Sequence, residues 1–219
     1  MSCCTTEGTG KMFSTHAARY AKKFRRNGLD RAQRRIVEEL ERAGLKGKTI
    51  LEVGCGVGGL HLTLLTKGAD SALGVDLSEG MIEEARKLAR EFGVDERTSY
   101  MQGDPVTGNG SIPERDIVIL DKVLCCYAEP AKLIERSAAK AGELYAVSYP
   151  RESWLAVVGF GFIQWVGTLF RWSFHPYYHK PDWLKRLITD QGLTETGSAT
   201  TPVWQIKLFR RVGGTTGRG

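Results

Sequence analysis

A cluster of glycines at residues 51–59, LEVGCGVGG, is the part of the sequence best suited to hold a ligand. Without a Cβ atom, a glycine lets a ligand approach the backbone where any other residue would collide with it. The cluster follows KTILEV, a short aliphatic run that predicts a β-strand. Gly54, Gly56 and Gly59 fit the G-x-G-x-x-G spacing of dinucleotide sites, whereas Gly54, Gly56 and Gly58 fit the spacing E/D-x-G-x-G-x-G.

Glu52 favours the second spacing. It lies two residues before Gly54, where a dinucleotide-binding strand usually carries an apolar side chain. A carboxylate there would repel a pyrophosphate, but it would attract the ammonium group of a methionine moiety. The chain of 219 residues is also short for the separate substrate domain of a dehydrogenase. We therefore expect a ligand with an amino-acid portion rather than a dinucleotide.

Expected strands and helices alternate at least five times, and this order predicts how the glycine cluster is positioned. Residues 13–43 have a helical apolar pattern that stops at Gly44, and Ser78 is the expected N-cap of GMIEEARKLAREFG. The segments ALGVDLS, TSYMQGD, DIVILD, ELYAVSYP and VWQIKLFRR are further expected strands. Such an alternation predicts an open, mostly parallel sheet with helices on both faces, and ligands of such sheets bind beyond the carboxyl ends of the strands.

Four motifs, ILEVGCGVGGL, GVDLSEGMIEEAR, MQGD and DIVILDKVLCCY, occur in the order found in class I S-adenosyl-L-methionine-dependent methyltransferases. The chain resembles this family over residues 45–150. Its flanks, FSTHAARYAKKF and YHKPDWLKRLI, resemble those of the magnesium-protoporphyrin O-methyltransferases and related small-molecule enzymes. The resemblance implies an α/β fold with a Rossmann-like, seven-stranded, mostly parallel sheet, helices on both faces and an antiparallel last strand. It also implies S-adenosyl-L-methionine (S-adenosylmethionine below) as the cofactor.

The resemblance assigns cofactor contacts to individual residues. Glu52 would face the methionine ammonium group. Asp76 would accept hydrogen bonds from both ribose hydroxyls, because a carboxylate has enough lone pairs for a vicinal diol. Leu77 and Met81 would enclose the adenine, whose amino group would donate to Asp104. The full cofactor-binding set implied in this way is Tyr20, Glu52, Gly54, Cys55, Gly56, Gly58, Asp76, Leu77, Met81, Gly103, Asp104, Leu120 and Asp121.

The acceptor side would be formed by the segments after the fourth and fifth expected strands. Because the methyl donor is a sulfonium cation, the reaction is an in-line displacement, and the protein's main task is to align the acceptor atom. A general base is needed only for an acceptor that keeps its proton. The candidate catalytic residues are His175, His179 and Tyr127. The candidate substrate contacts are Cys126, Tyr149, Trp165 and Tyr178.

The acceptor itself stays open at this point. The magnesium-protoporphyrin group carries a histidine next to a tyrosine after the fourth strand, but here the pair is Cys126-Tyr127. A catalytic histidine is therefore not transferred to this position. We expect a small, partly apolar acceptor that is methylated on oxygen or sulfur.

The cysteines form no disulfide framework, because Cys3, Cys4, Cys55, Cys125 and Cys126 are odd in number and two pairs are adjacent. A reducing cytoplasm is the simplest explanation. Packing of buried thiols is one interpretation of Cys125 and Cys126. Methyl transfer to a soft metalloid or a thiol held by the cysteine pairs is the alternative. The spacing is not that of a zinc site, and we predict no metal ligands.

The run from Trp154 to Trp172 holds one charge, Arg171, in nineteen residues. This is close to the shortest length that spans a bilayer, but its glycines weaken a lone helix, and a crossing here would split the sheet. Core packing and a hydrophobic lid over the acceptor are the remaining alternatives, the lid with a peripheral membrane contact through its tryptophans. We therefore divide the chain into an N-terminal tail and helical cap (1–43), a cofactor-binding core (44–150), an apolar insertion or lid (151–180), a C-terminal helix and strands (181–212) and a disordered tail (213–219).

The formal charge of +6 and the pI of about 9.1 are compatible with a nucleic-acid partner. Much of the positive charge lies in residues 19–35, where a solvated helix face is one interpretation and an anionic ligand or membrane surface is the other. An RNA methyltransferase is an alternative function, but LDKVLCCY lacks the N/D-P-P-Y/F motif that grips a flipped base. A non-catalytic cofactor-binding module is a second alternative. We expect a cytoplasmic enzyme that acts on a small molecule and not on nucleic acid, and its oligomeric state is open.

Overall fold

The structure, a computed structural model, describes residues 6–107, 112–127, 129–152 and 177–213. The apolar run of residues 154–172, which contains Trp165, lies outside these ranges, and so do His175 and residues 214–219 of the predicted tail.

Seven strands form one sheet: β1 (Thr49–Val53), β2 (Ser71–Asp76), β3 (Thr98–Gln102), β4 (Arg115–Asp121), β5 (Ala141–Pro150), β6 (Leu193–Thr200) and β7 (Trp204–Arg211). Their spatial order is β3-β2-β1-β4-β5-β7-β6. The neighbours from β3 to β5 pair in parallel, whereas β7 runs antiparallel to both β5 and β6. The predicted Rossmann-like sheet with an antiparallel last strand is confirmed.

Six α-helices lie within the described part of the chain: α1 (Thr6–Asn27), α2 (Arg31–Ala43), α3 (Gly59–Thr66), α4 (Glu79–Glu91), α5 (Pro130–Ala138) and α6 (Pro181–Thr189). The first helix packs against α4, and α2 packs against β6 and β7. None of the helices in the described ranges is long and apolar enough to cross a membrane.

Side chains of the central strands alternate between two cores, as the two-residue period of a β-strand requires. Ile50 and Ile117 face the core beneath α2 and α3, while Leu51 and Val118 face the core beneath α5 and α6. All four are fully buried. Because helices cover both faces of the sheet, the sequences of these central strands are nearly continuous runs of apolar residues.

The helix expected over residues 13–43 is two helices in the structure. Gly28 has φ +62°, a left-handed conformation that suits glycine and ends α1. Asp30 then begins α2, because its carboxylate accepts hydrogen bonds from the amides of Ala32 and Gln33. The Gln33 side chain accepts in return from the Asp30 amide, which completes a capping box. The sequence does not reveal this break between α1 and α2, because apolar residues continue at helical spacing on both sides of it.

Two other predicted helix boundaries are confirmed. Gly44 ends α2 in the left-handed conformation, with φ +103°. Ser78 begins α4, and its Oγ accepts a hydrogen bond from the Met81 amide at 3.1 Å.

The loops that follow β1, β2 and β4 meet at the carboxyl edge of the sheet. The strand order reverses between β1 and β4, since the chain adds strands first on one side of β1 and then on the other. A crevice at such a reversal is where ligands bind in open α/β sheets. The fold thus places the glycine cluster after β1 at the expected ligand position.

Candidate active site

A cavity of about 570 Å³ opens at the carboxyl ends of β1, β2 and β4. This volume lies within the range of small-molecule sites, roughly 300–1,000 Å³. Residues from α1, from the α1–α2 junction and from the start of β7 complete its wall. The cavity wall therefore includes residues that the sequence assigns to the cofactor and residues that it assigns to the acceptor.

The glycine loop after β1 is tightly fixed at one end and open at the other. The amides of Gly54 and Cys55 both donate to the carbonyl oxygen of Val75, at 2.7 and 3.1 Å. Gly54 has φ +68°, and a Cβ atom on it would lie 2.5 Å from a methyl carbon of Val123. Gly56 has φ +53°, and nothing lies within 4 Å of the position that its Cβ atom would take. A ligand can therefore approach the backbone at Gly56, whereas Gly54 is required for protein packing.

Asp76, at the end of β2, is held by backbone amides. Its two carboxylate oxygens accept from Gly56 at 2.8 Å and from Ser78 at 2.9 Å. Burial raises the pKa of this carboxyl, and hydrogen bonds from the backbone amides of Ser78, Gly56 and Leu77 oppose that rise. Each oxygen keeps a further lone pair, so both can still accept a hydrogen bond from a ligand in the cavity. This arrangement fits the ribose diol of S-adenosylmethionine.

Glu52 lines the cavity and has a protein partner that the sequence analysis did not identify. Its Oε2 atom accepts from His61 Nδ1 at 2.6 Å and from the His61 amide at 3.3 Å. The other ring nitrogen of His61 lies 3.1 Å from the Tyr100 hydroxyl. Burial raises the pKa of Glu52, and the hydrogen bond from His61 opposes this. The predicted role toward an ammonium group thus falls on a carboxyl that His61 already orients.

Asp104 and the two described catalytic candidates form a connected group. The Tyr127 hydroxyl donates to Asp104 at 3.2 Å, and Asp104 also accepts from the Val106 amide and the Thr107 hydroxyl. Burial, followed by the nearby Asp104 carboxylate, raises the pKa of Tyr127 far above its usual value. His179 donates from Nε2 to the Tyr127 carbonyl oxygen at 2.8 Å. Tyr127 therefore remains protonated at neutral pH, and His179 contacts the backbone of this loop.

Lys122 follows β4 on the acceptor side of the cavity, and its φ of +60° is the one left-handed non-glycine conformation in the described part of the chain. Its ammonium group donates to Asp30 at 2.6 Å and to Asp121 at 3.1 Å, and it lies 5.6 Å from the Trp204 ring centroid. Gln33 donates to the same carboxylate oxygen of Asp121. Although burial disfavours the charged form, the two carboxylates raise the pKa of Lys122 overall. The network ties the start of α2 to the end of β4.

The thiols of Cys55, Cys125 and Cys126 all belong to residues that line the cavity. Those of Cys125 and Cys126 lie 3.3 and 3.7 Å from the Lys122 carbonyl oxygen. A hydrogen bond with Cys126 lowers the pKa of Cys125, whereas burial raises the pKa of Cys55. No group of three or more His, Cys, Asp or Glu residues that could hold a metal ion occurs in the ranges that the structure describes.

The structure brings most of the predicted site residues to one cavity, but not all of them. The predicted residues on its wall are Tyr20, Glu52, Gly54, Cys55, Gly56, Asp76, Leu77, Met81, Gly103, Asp121, Cys126 and Tyr127. Those away from the wall are Gly58, Asp104, Leu120, Tyr149, Tyr178 and His179.

Alternation along the strands and local packing explain why Leu120, Tyr149 and Gly58 lie away from the cavity wall. Leu120 and Tyr149 are 0% and 1% exposed and pack in the core beneath α5 and α6, so the structure corrects their placement beside the ligands. A Cβ atom on Gly58 would lie 2.8 Å from the His61 ring, so this glycine makes room for His61. Asp104 is not on the wall, but it accepts a hydrogen bond from Tyr127, which is on the wall.

Sequence reasoning missed Gln33, His61, Lys122 and Trp204. His61 is 0% exposed inside the leucine-rich α3, where a polar residue signals a buried partner. Lys122 directly follows Asp121 at a strand end, a position that could have marked it. Gln33 and Trp204 reach the cavity only through the packing of α2 and β7 on the sheet, and neither carries a motif.

The chain is similar to known methyltransferases over the residues that form this cavity. The family model described as a methyltransferase domain matches residues 50–141, the segment that carries the glycine loop and Asp76. The magnesium-protoporphyrin O-methyltransferase of Synechocystis sp. is 27% identical over 176 residues, which are 77% of this chain and 73% of that protein. Over residues 50–141 the chain has the methyltransferase domain of the class I S-adenosylmethionine-dependent enzymes. The predicted cofactor of this methyltransferase, S-adenosylmethionine, is confirmed.

The chain is also similar to methyltransferases with other names, over different shares of its length. The ubiquinone biosynthesis O-methyltransferase of Pseudomonas paraeruginosa is 32% identical over 130 residues, which are 56% of this chain and 55% of that protein. A crystal structure of the Synechocystis magnesium protoporphyrin IX methyltransferase with bound S-adenosylhomocysteine superimposes with a TM-score of 0.66 at 26% identity, over 82% of this chain and 83% of that one. The chain spans only 20% to 38% of the length of several further curated relatives.

Proposed function

We propose that this methyltransferase transfers a methyl group from S-adenosylmethionine to an oxygen or sulfur atom of a small, partly apolar acceptor. The observation that supports the proposal most strongly is the single cavity that joins Gly56 and Asp76 on one side to Lys122, Cys126 and Trp204 on the other. A cofactor and an acceptor that both bind in this cavity would lie next to each other. The names of the magnesium-protoporphyrin and ubiquinone relatives favour oxygen as the acceptor atom.

On the cofactor side, the chain would bind through groups that are already oriented. The open backbone at Gly56 admits the ligand, and Asp76 is fixed by two amides with lone pairs left over. Glu52 presents a carboxyl that His61 holds in one rotamer. When bound, S-adenosylmethionine supplies an electrophilic methyl group on a sulfonium sulfur. A cavity that carries more carboxylates than ammonium groups attracts such a cation.

On the acceptor side, the residues that the structure describes would align the substrate rather than deprotonate it. Tyr127 keeps its proton, because burial and Asp104 raise its pKa, so it does not act as a base, and its hydroxyl donates to Asp104. His179 lies off the cavity wall, with Nε2 committed to a carbonyl oxygen. Trp204 offers a flat apolar surface beside the ammonium group of Lys122. The aromatic and thiol groups here suit an acceptor that is apolar over much of its surface.

The proposal is tested by incubating the full chain with methyl-labelled S-adenosylmethionine and a panel of phenols, carboxylic acids, thiols and RNA oligonucleotides. Label should appear in a small phenol, acid or thiol and not in RNA. Trp204→Ala should reduce turnover of that acceptor more than it reduces cofactor affinity, because Trp204 lines the cavity beside Lys122, on the acceptor side. Labelled RNA, or cofactor binding without transfer to any member of a broad panel, would overturn the proposal in favour of an RNA methyltransferase or a non-catalytic module.

A further inference from the structure

The first helix presents a row of cations to solvent that no other part of the described chain neutralises. Arg19, Lys22, Lys23 and Arg26 follow the spacing i, i+3, i+4, i+7, which places them on one face of α1. All four are exposed, and none has an ion-pair partner among the described residues. We call these four residues the cationic face.

The opposite side of α1 is committed to packing. Ala17 and Ala21 are 3% and 0% exposed, and Phe24 stacks on Phe92 of the α4 end at a centroid distance of 5.6 Å. Arg25, which does not belong to the cationic face, pairs with Glu91 and with Glu84 on α4. The helix orientation is therefore fixed by the fold, and the cationic face points away from the protein.

The cationic face shares an edge with the mouth of the cavity. Lys23 belongs to both, since it also lines the cavity, and Tyr20 lines the cavity while 46% of its surface is exposed. An exposed tyrosine beside lysine and arginine side chains is typical of residues that lie at a lipid headgroup layer. A surface that docked on the cationic face would thus meet the opening through which ligands enter.

We infer that the cationic face docks this methyltransferase on an anionic lipid bilayer, so that the cavity mouth faces the membrane surface. A Lys or Arg side chain close to an anionic leaflet contributes about 1 kcal/mol, so a face of four can hold a protein there reversibly. Tyr20 is the one exposed aromatic residue on the described part of α1, and a lone ring does not provide the successive stacking platforms that single-stranded nucleic acid uses. The benefit of docking rests on the proposed apolar acceptor, because such an acceptor would concentrate in the bilayer. The docking itself does not depend on it.

The test is co-sedimentation of the full chain with phosphatidylcholine vesicles that contain about one third phosphatidylserine, compared with pure phosphatidylcholine. The triple variant Arg19→Gln, Lys22→Gln, Arg26→Gln removes three charges and leaves the cavity residue Lys23 in place. Its matched control is Arg136→Gln, Lys180→Gln, Arg186→Gln, which removes three exposed charges from the region of α5 and α6, on the other face of the sheet. Equal loss of net charge in the two variants separates position from total charge.

The inference predicts binding to the anionic vesicles only, and weaker binding as salt is raised. It also predicts roughly a hundredfold loss in the first triple variant, with little change in the control. Absence of binding by the wild type, equal loss in both variants, or unchanged binding by the first variant would overturn it. Tighter binding of a single-stranded RNA oligonucleotide through the same three residues would overturn it in favour of nucleic acid.

A parallel titration with S-adenosylmethionine keeps this inference separate from the proposed function. The first triple variant should bind the cofactor as the wild type does, because none of its three residues lines the cavity. Vesicle binding without methyl transfer would count against the proposed function and leave the docking surface standing. Methyl transfer without vesicle binding would do the reverse.

Discussion

Glu52 and His61 form a buried pair behind the glycine loop, in which Oε2 and Nδ1 lie 2.6 Å apart and both side chains are almost completely excluded from solvent. The other ring nitrogen of His61, Nε2, lies 3.1 Å from the Tyr100 hydroxyl. Because Glu52 also lines the cavity, His61 acts as a positioning residue for a group that would touch the cofactor. This relationship sets the first two predictions.

Replacing His61 should cost much more stability than replacing Tyr100. His61→Ala leaves the buried carboxyl of Glu52 without its partner, which we expect to lower the free energy of unfolding by about 3–5 kcal/mol. Tyr100→Phe removes a hydroxyl that contacts His61 Nε2 and donates to the Ala85 carbonyl oxygen, which together we expect to contribute about 1–2 kcal/mol. Urea denaturation measures both. Equal losses in the two variants would show that the pair does not hold Glu52.

The stability that depends on Glu52 should fall as pH rises. Burial raises the pKa of Glu52 in the folded protein above its unfolded value, so between the two pKa values the folded state binds the extra proton. This contribution is complete below the unfolded pKa of about 4.3 and is lost as pH rises through the folded pKa. Glu52→Gln cannot titrate and should lack it. Urea denaturation of both proteins from acid to neutral pH checks this, and a wild-type advantage that grows with pH would contradict it.

Substitutions at two glycines of the loop should separate folding from ligand binding. Gly54→Ala forces a Cβ atom to within 2.5 Å of Val123 at positive φ, so we expect it to unfold the protein or to destabilise it by several kcal/mol. Gly56→Ala meets no protein atom, and its cost in stability should be about 1–2 kcal/mol for the left-handed backbone. Its Cβ atom would occupy space needed by the cofactor. Thermal unfolding with S-adenosylmethionine titration measures both effects, and normal cofactor affinity in Gly56→Ala would contradict the placement of the ligand.

Lys122 should respond to substitution through both its charge and its backbone. Lys122→Ala removes the cation between Asp30 and Asp121 and keeps a left-handed non-glycine residue, and we expect a loss of about 2 kcal/mol. Lys122→Gly removes the same cation but relieves the φ of +60°, so it should be more stable than Lys122→Ala by about 1 kcal/mol. Urea denaturation compares the two. A glycine variant that is the less stable one would show that the backbone at this position is not strained.

The cofactor side of the site could be predicted from the sequence because its signals are local. The glycine spacing, Glu52 and Asp76 lie at the ends of two consecutive strands, and the parallel sheet brings those ends together whatever the rest of the chain does. The sheet itself followed from the alternation of strand and helix patterns. These features depend on residues close in sequence to the glycine loop.

The acceptor side could not be predicted to the same depth, because distant elements build it. Trp204 reaches the cavity only because β7 inserts antiparallel beside β5, opposite Pro150. Asp30 meets Lys122 across 92 positions of sequence, and only because α1 and α2 are separated at Gly28. Tyr149 shows the converse error: its type and position suggested a ligand contact, but strand alternation turns it into the core.

The central claim, that this cavity binds S-adenosylmethionine through Asp76, is tested most directly by isothermal titration of the cofactor into wild type and Asp76→Ala. Two hydrogen bonds to a charged acceptor are worth about 1.5–3 kcal/mol each, so the variant should lose about a hundredfold or more in affinity. Asp70→Ala, an exposed aspartate outside the cavity, is the control and should bind as the wild type does. One-to-one binding by the wild type with that loss in Asp76→Ala is the predicted result. No binding by the folded wild type, or equal affinity in Asp76→Ala, would contradict the account.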